Sequence, residues 1–296
     1  MRRAAAIFAL LCAVSFAPPE AIARKRGRAP REIPELTRDG LPNIQSQAAL
    51  VVDLDGGTEI YARNPNEVRA IASVGKLFLA LVVMDRRLDL DGVTKITEED
   101  MRLAAGGARS RLAVGRSFKN IDLLRAMLIS SDNRACSALG RAMGLRPAEL
   151  VEALNAKASG MGLRKTRFVD PTGLKNNVST AREVMTALTA ALAVPLLAEI
   201  MTTPQATVRS TDGRATVDYV STDVALRAGR YPVLGGKTGF TDDAKYCLAI
   251  AAKIGERRVG MVFLGADGKL TRFGDFNRVA AWMKTNQGGA GNTAAR

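Results

Sequence analysis

Residues 232–266, PVLGGKTGFTDDAKYCLAIAAKIGERRVGMVFLGA, contain three short apolar runs that read as strands: PVLGGKTGF, AKYCLAIAAKI and RRVGMVFLGA. Two more strand-like runs lie near the other end of the chain, QAALVVDL (47–54) and TEIYA (58–62), on either side of the hairpin signal Asp55-Gly56-Gly57. Between the two groups the pattern changes. A long apolar stretch from Ile71 to Val83 has the length of a buried helix, and from about 95 to 200 leucine-, alanine- and methionine-rich segments such as IDLLRAMLI, PAELVEALNAKASGMG and STAREVMTALTAAL read as helices. Thr180 to Glu183 fits a capping box at the start of the last of these, and TRFGDFNRVAAWMKT (271–285) reads as a closing helix. One sheet built from both ends of the chain leaves the middle as an insertion. The expected fold is therefore α/β with an inserted all-α lobe, and a cleft between the two is a natural ligand site.

The boundaries follow from composition. Residues 1–23 read as a secretory signal peptide, with Arg2 and Arg3, an apolar run from Ala4 to Ala17, and the small-residue pattern Ala21-Ile22-Ala23. About fourteen apolar residues are short for a bilayer span, so the expected location is periplasmic. Residues 24–42 form a basic, proline-containing exposed leader. The catalytic domain is expected over 43–285, its α/β part over about 43–90 and 205–285 and its helical lobe over about 91–204, with 286–296 a disordered tail.

Charge and residue usage exclude several classes. The formal charge of the 296 residues is +14, and removing Arg2, Arg3 and Glu20 leaves +13. Such a surface attracts acidic partners. The basic residues are scattered and aromatics make up 5%, which argues against nucleic-acid binding. Neither Cys136 nor Cys247 stands in metal-ligand spacing and there is no histidine, so no metal or other cofactor is expected. The two cysteines read as buried free thiols, with a disulfide as the alternative in an oxidising compartment.

Without histidine, a nucleophilic serine needs another base. In SVGKLFLALVV, Ser73 and Lys76 are three residues apart, on one face if a helix begins there. Apolar burial lowers a lysine's pKa and makes it a candidate base. Two further stretches matter: SSDNRACSALG (130–140) and GGKTGFTDDAKYC (235–247). A phosphate-binding reading of GGKTG fails because Tyr231 stands where that loop needs glycine and a strand follows where it needs a helix. Ser73-x-x-Lys76, Ser131-Asp132-Asn133 and Lys237-Thr238-Gly239, 58 and 106 residues apart, form the ordered signature of class A β-lactamases and penicillin-binding proteins.

From about Ile44 to Lys284 the chain resembles the low-molecular-mass penicillin-binding proteins, serine D-alanyl-D-alanine peptidases. SSDNRA, NAKASGMGLRKTRFVDPTGL, NVSTARE and KTGFTDDAKYCL are similar to the D-alanyl-D-alanine endopeptidase branch. The resemblance implies a β-lactamase/DD-peptidase-like fold, an antiparallel sheet flanked by helices. It implies Ser73 as the nucleophile that forms an acyl-enzyme, Lys76 as its base, Ser131 as a proton relay, and Asn133 orienting Lys76 and the substrate amide. Lys237 and Thr238 would bind the substrate carboxylate, Lys237 would also help to keep Lys76 neutral, and the N–H groups of Ser73 and Phe240, beside Gly239, would form the oxyanion hole. The segment Asp170–Gly173 would line the leaving-group side. Peptidoglycan stem peptides are the implied substrates, β-lactam antibiotics the inhibitors, and other cell-wall enzymes candidate partners. The alternatives are a carboxypeptidase, a class A-like β-lactamase and a non-catalytic peptidoglycan-binding protein. The β-lactamase reading lacks its deacylating Glu-x-x-x-Asn pattern in KASGMGLRKTRFVDPTGLKNN.

Overall fold

The alternation within the last strands shows how the sheet is covered. In the strand Lys245–Ile254, Leu248, Ile250, Ala252 and Ile254 pack into one apolar cluster, while Cys247, Ala249 and Ala251 pack into another. A strand buried on both faces must lie inside a sheet with layers on either side.

The computed structural model of the chain describes residues 33–289. The expected signal peptide, residues 24–32 of the leader and residues 290–296 of the tail lie outside the described residues. The strands are β1 (Ala48–Asp53), β2 (Glu59–Arg63), β3 (Arg69–Ala70), β4 (Val93–Lys95), β5 (Ser117–Lys119), β6 (Val178–Ser179), β7 (Gln205–Arg209), β8 (Thr216–Val220), β9 (Val233–Thr241), β10 (Lys245–Ile254) and β11 (Arg257–Ala266). The helices are α1 (Lys76–Asp85), α2 (Glu98–Leu103), α3 (Asn120–Ser130), α4 (Arg134–Ala142), α5 (Pro147–Gly160), α6 (Ala181–Leu192), α7 (Pro195–Met201), α8 (Val224–Ala228) and α9 (Thr271–Gly289).

The central sheet has five strands in the order β2-β1-β11-β10-β9, every neighbour antiparallel. Both ends of the chain build it, and the stretch between supplies the inserted helices. Phe273, Phe276, Val279, Ala280 and Met283 of α9 cover one face together with Val51, Leu248 and Phe263. The other face meets α1 and α6. Gly260 leaves room for Met185 of α6, whose sulfur would lie 2.6 Å from a Cβ at that position. Helix α1 is buried from Lys76 to Val83, and from Leu77 to Val83 it is apolar around its whole circumference and packs within the core. β9 is one of the two edge strands, opposite β2, and runs beside the turn that leads into α1.

Four local expectations change. The stretch 71–83 is a 3-10 turn, Ala72–Gly75, followed by α1, because Ala72 takes φ +47° and breaks the helical run. Strands β7 and β8, expected in the sheet half, pair only with each other among the described residues. They pack on the helical half: the Tyr219 hydroxyl reaches Asp132, and the N–H of Thr222 donates to the carbonyl of Ile129. The sheet resumes at Val233. At α6, Thr180 Oγ1 accepts from the N–H of Glu183, but the Glu183 carboxylate turns to the N–H of Lys165 and the hydroxyl of Thr166, so the capping box is half made. Finally, α9 runs to Gly289, so the first four residues of the expected disordered tail continue its hydrogen-bonded ladder.

Candidate active site

Three regions of the chain bring the motif residues together. The 3-10 turn carries Ser73 and delivers Lys76 as the first residue of α1. The end of α3 carries Ser131, which caps that helix in a left-handed conformation at φ +63°. Asn133 begins the next helix. Strand β9 carries Lys237, Thr238, Gly239 and Phe240. Ala72 and Ser131 are both non-glycine residues at positive φ, and strained backbone of this kind is kept where the surroundings over-determine it.

Lys76 is fully buried, and its Nζ lies 2.7 Å from Ser73 Oγ, 3.2 Å from Ser131 Oγ, 2.7 Å from Asn133 Oδ1 and 2.8 Å from the carbonyl oxygen of Thr172. Two of these partners, Asn133 Oδ1 and the Thr172 carbonyl, can only accept. A neutral amine has two N–H donors and one lone pair. With both donors directed to the two fixed acceptors, the lone pair is left for a hydroxyl that can give up its proton. The Ser73 hydroxyl is the nearer of the two.

Electrostatics favours that neutral form. Burial pushes the Lys76 amine below the ordinary lysine range, against the opposing pull of Asp132 and Asp170. Lys237, also buried, is lowered further, first by desolvation and then by the charge of Lys76. Burial is the leading cause for both lysines, and two buried ammonium groups this close would repel each other, which favours a neutral amine in the pair. Lys237 Nζ donates to the carbonyl of Thr238 at 2.9 Å and has no carboxylate partner among the described residues.

Close backbone approaches hold this geometry. A Cβ on Gly239 would lie 2.9 Å from the carbonyl oxygen of Ile71 and 3.0 Å from the nitrogen of Ser73, so only glycine lets β9 reach the nucleophile turn. Gly173, at φ +85°, meets the same turn from the other side: its Cβ would lie 2.4 Å from the carbonyl oxygen of Ala72. The Asp170–Gly173 segment lies buried against the dyad and contributes the Thr172 carbonyl, while Asp170 and Pro171 also line a cavity of about 190 Å³ with Leu174 and Lys175.

Several residues that take part were not singled out by their motifs. The Asp170 carboxylate accepts from the N–H groups of Thr172, Gly173 and Lys175 and from the Thr172 hydroxyl, which curls the loop. Asn177 Oδ1 accepts from the N–H groups of Val169 and Asp170, and its Nδ2 donates to the Asp170 carbonyl. The only local signal is Asp-Pro-Thr-Gly, the composition of an Asx turn. Thr222 bonds Thr238 through their hydroxyls at 2.6 Å, and Arg272 Nη1 donates to the carbonyl of Gly239 at 2.8 Å. Phe240 is exposed and stacks on Tyr246 with ring centroids 4.2 Å apart. Cys136 and Cys247 are free and buried, and burial raises both thiols to about 11, which keeps them protonated.

Comparison with known proteins bears on the chemistry. The family model Peptidase_S11, D-alanyl-D-alanine carboxypeptidase, matches residues 35–268. The chain is 38% identical over 255 residues to the D-alanyl-D-alanine endopeptidase of Pseudomonas aeruginosa, covering 84% of this chain and 81% of that protein. It is 34% identical over 280 residues to the D-alanyl-D-alanine endopeptidase of Escherichia coli, covering 94% and 87%. The fold is similar to that of the D-alanyl-D-alanine carboxypeptidase from Mycobacterium tuberculosis, with TM-score 0.75, 29% identity and coverage of 82% and 92%. It is also similar to the Streptomyces K15 DD-transpeptidase, with TM-score 0.76 and coverage of 82% and 98%, where 23% identity speaks to the fold alone.

Proposed function

The chain belongs to the Peptidase_S11 family of D-alanyl-D-alanine carboxypeptidases and is a serine-type D-alanyl-D-alanine peptidase; from that premise we propose that it hydrolyses D-alanyl cross-links of peptidoglycan through an acyl-enzyme on Ser73. The observation that carries the mechanism is the set of four oxygens around Lys76 Nζ, two of which can only accept.

In this mechanism Ser73 Oγ attacks the D-alanine carbonyl carbon while its proton passes to the lone pair of Lys76 Nζ. The N–H groups of Ser73 and Phe240 stabilise the oxyanion, an arrangement whose donors are typically worth about 3 kcal/mol each. The tetrahedral intermediate then collapses. Its C–N bond breaks as the leaving amine takes a proton from Ser131 Oγ, which is resupplied from Lys76 at 3.2 Å. The remaining ester is hydrolysed by water, whose proton returns through Lys76 and frees Ser73.

The lysine pair gives the substrate a part in activation. Lys237 and Thr238 are assigned to the substrate carboxylate. A carboxylate beside Lys237 favours its ammonium form, and the restored charge disfavours the ammonium form of Lys76, which stays neutral. Binding thus readies the base. The same chemistry opens a β-lactam, so such compounds are expected to acylate Ser73 and act as inhibitors. A periplasmic location, reached through the signal sequence over 1–23, places the enzyme beside this substrate.

The endopeptidase reading rests on the two relatives of that name, which match most of the chain. The test is a comparison of purified cross-linked muropeptide dimers with free pentapeptide at equal concentrations. Faster conversion of dimers to monomers supports the endopeptidase. Faster release of D-alanine from pentapeptide leaves a carboxypeptidase in its place.

A further inference from the structure

The loop between α2 and β5 carries Arg109, Ser110 and Arg111 and folds onto the Ser131–Arg134 turn of the active site. The Ser110 hydroxyl lies 2.7 and 2.8 Å from the two carboxylate oxygens of Asp132, and the N–H of Arg111 donates to the same group. Leu112 is buried beneath the loop, and its carbonyl accepts from Arg134 Nη1 at 2.6 Å. Beside these bonds lies an open surface cavity of about 510 Å³ lined by Arg109, Ser110, Arg111, Ala113 and Arg134, with Arg109 and Arg111 exposed.

The charge in this cavity is one-sided. Among the described residues, none of the three arginines forms an ion pair. The adjoining carboxylate, Asp132, is already occupied by Ser110 and by the Tyr219 hydroxyl at 2.8 Å. Arg134 Nε is buried with no partner. The Arg111 guanidinium lies 4.7 Å from the centre of the Tyr219 ring, which fixes its place and leaves its N–H groups unclaimed. Three guanidinium groups share one adjoining carboxylate, Asp132, so the group is net positive, and their planar forks suit a further carboxylate.

We propose that this cavity is an anion subsite that binds a carboxylate of the stem peptide other than the one at the scissile D-alanine. The inference rests on the peptidase reading and adds to it a determinant of substrate choice. Through Asp132 the subsite is joined to the turn that carries Ser131 and Asn133, so a carboxylate bound there sets the register of the peptide against Ser73. Peptides whose stem carboxylates are free are preferred over the same peptides with those groups amidated.

The test compares kcat and KM for two cross-linked dimers, one with free stem carboxylates and one with them amidated. The full chain is used as wild type, as Arg109→Gln/Arg111→Gln and as Arg109→Lys/Arg111→Lys, with the thermal midpoint of each reporting that it folds. The wild type is expected to show the lower KM for the free-acid dimer, by about tenfold, as befits two partly exposed charge contacts. The ratio should fall toward one in the glutamine variant, with the change in KM and not in kcat, and recover in part in the lysine variant. It should also shrink as salt rises. Equal KM values for the two dimers in the wild type, or a ratio unmoved in the glutamine variant, would overturn the subsite. Should the wild type cleave neither dimer, equilibrium dialysis of both against Ser73→Ala separates the two ideas. Tighter binding of the free-acid dimer keeps the subsite while the peptidase reading fails, and equal binding removes the subsite.

Discussion

Replacing Asn133 by aspartate puts a negative charge on the side chain that accepts from Lys76 Nζ at 2.7 Å and leaves its size unchanged. Burial holds the Lys76 amine below its ordinary range, which is what makes a free base available. An opposite charge at contact distance works against burial and raises the lysine pKa by about 1–3 units, each unit equivalent to about 1.4 kcal/mol. Because the neutral amine is the active species, acylation increases as pH rises through the pKa of Lys76. In the aspartate variant this rising limb moves to higher pH by the same amount. At a pH below both limbs the rate should fall about 10- to 1000-fold, with recovery in alkaline buffer. The assay is the second-order rate of acylation by a β-lactam, followed by intact mass across the pH range in wild type, Asn133→Asp and Asn133→Leu. The leucine variant should lose rate without an upward shift of the limb. A limb in the aspartate variant that coincides with the wild type, or lies below it, would show that Lys76 is not the base.

Other consequences follow from the same contacts. Lys76 is lowered in the folded protein from 10.5, so over the window between its lowered value and 10.5 the unfolded chain binds more protons. Stability should therefore rise with pH through that window and fall as pH drops, and Lys76→Met should flatten this dependence in denaturant titrations at neutral and alkaline pH; an unchanged slope would count against a neutral buried lysine. Gly173→Ala forces a side chain into φ +85° and against the Ala72 carbonyl, which should cost about 1–3 kcal/mol in stability and reduce acylation; a wild-type melting midpoint and rate would contradict the assigned packing. Tyr219→Phe removes a buried hydroxyl that donates to Asp132 at 2.8 Å; a loss of about 1–3 kcal/mol by urea denaturation is expected, against none if that bond is idle.

The central strands and α1 were legible because their burial is written in uninterrupted apolar runs, such as Cys247–Ala252, whose two faces pack into different clusters. The dyad was legible for a chemical reason: with no histidine in the chain, a lysine one helical turn from a serine is the base within reach. What stayed hidden acts through the backbone or across long separations. Thr172 contributes a carbonyl, which every residue possesses, and its position depends on Asp170 and Asn177. Tyr219 meets Asp132 from 87 residues away, and β7 and β8 alternate like sheet strands although they pair only with each other among the described residues. Local pattern identifies a strand but does not name its partner.

The central claim is that Ser73 forms the covalent bond. Its most direct test is the intact mass of the full chain after exposure to a β-lactam, followed by peptide mapping, in wild type and Ser73→Ala. The account predicts one adduct per chain, located on the peptide containing Ser73 and absent from the alanine variant. An adduct that persists in Ser73→Ala, or that maps to Ser131 in the wild type, would contradict it.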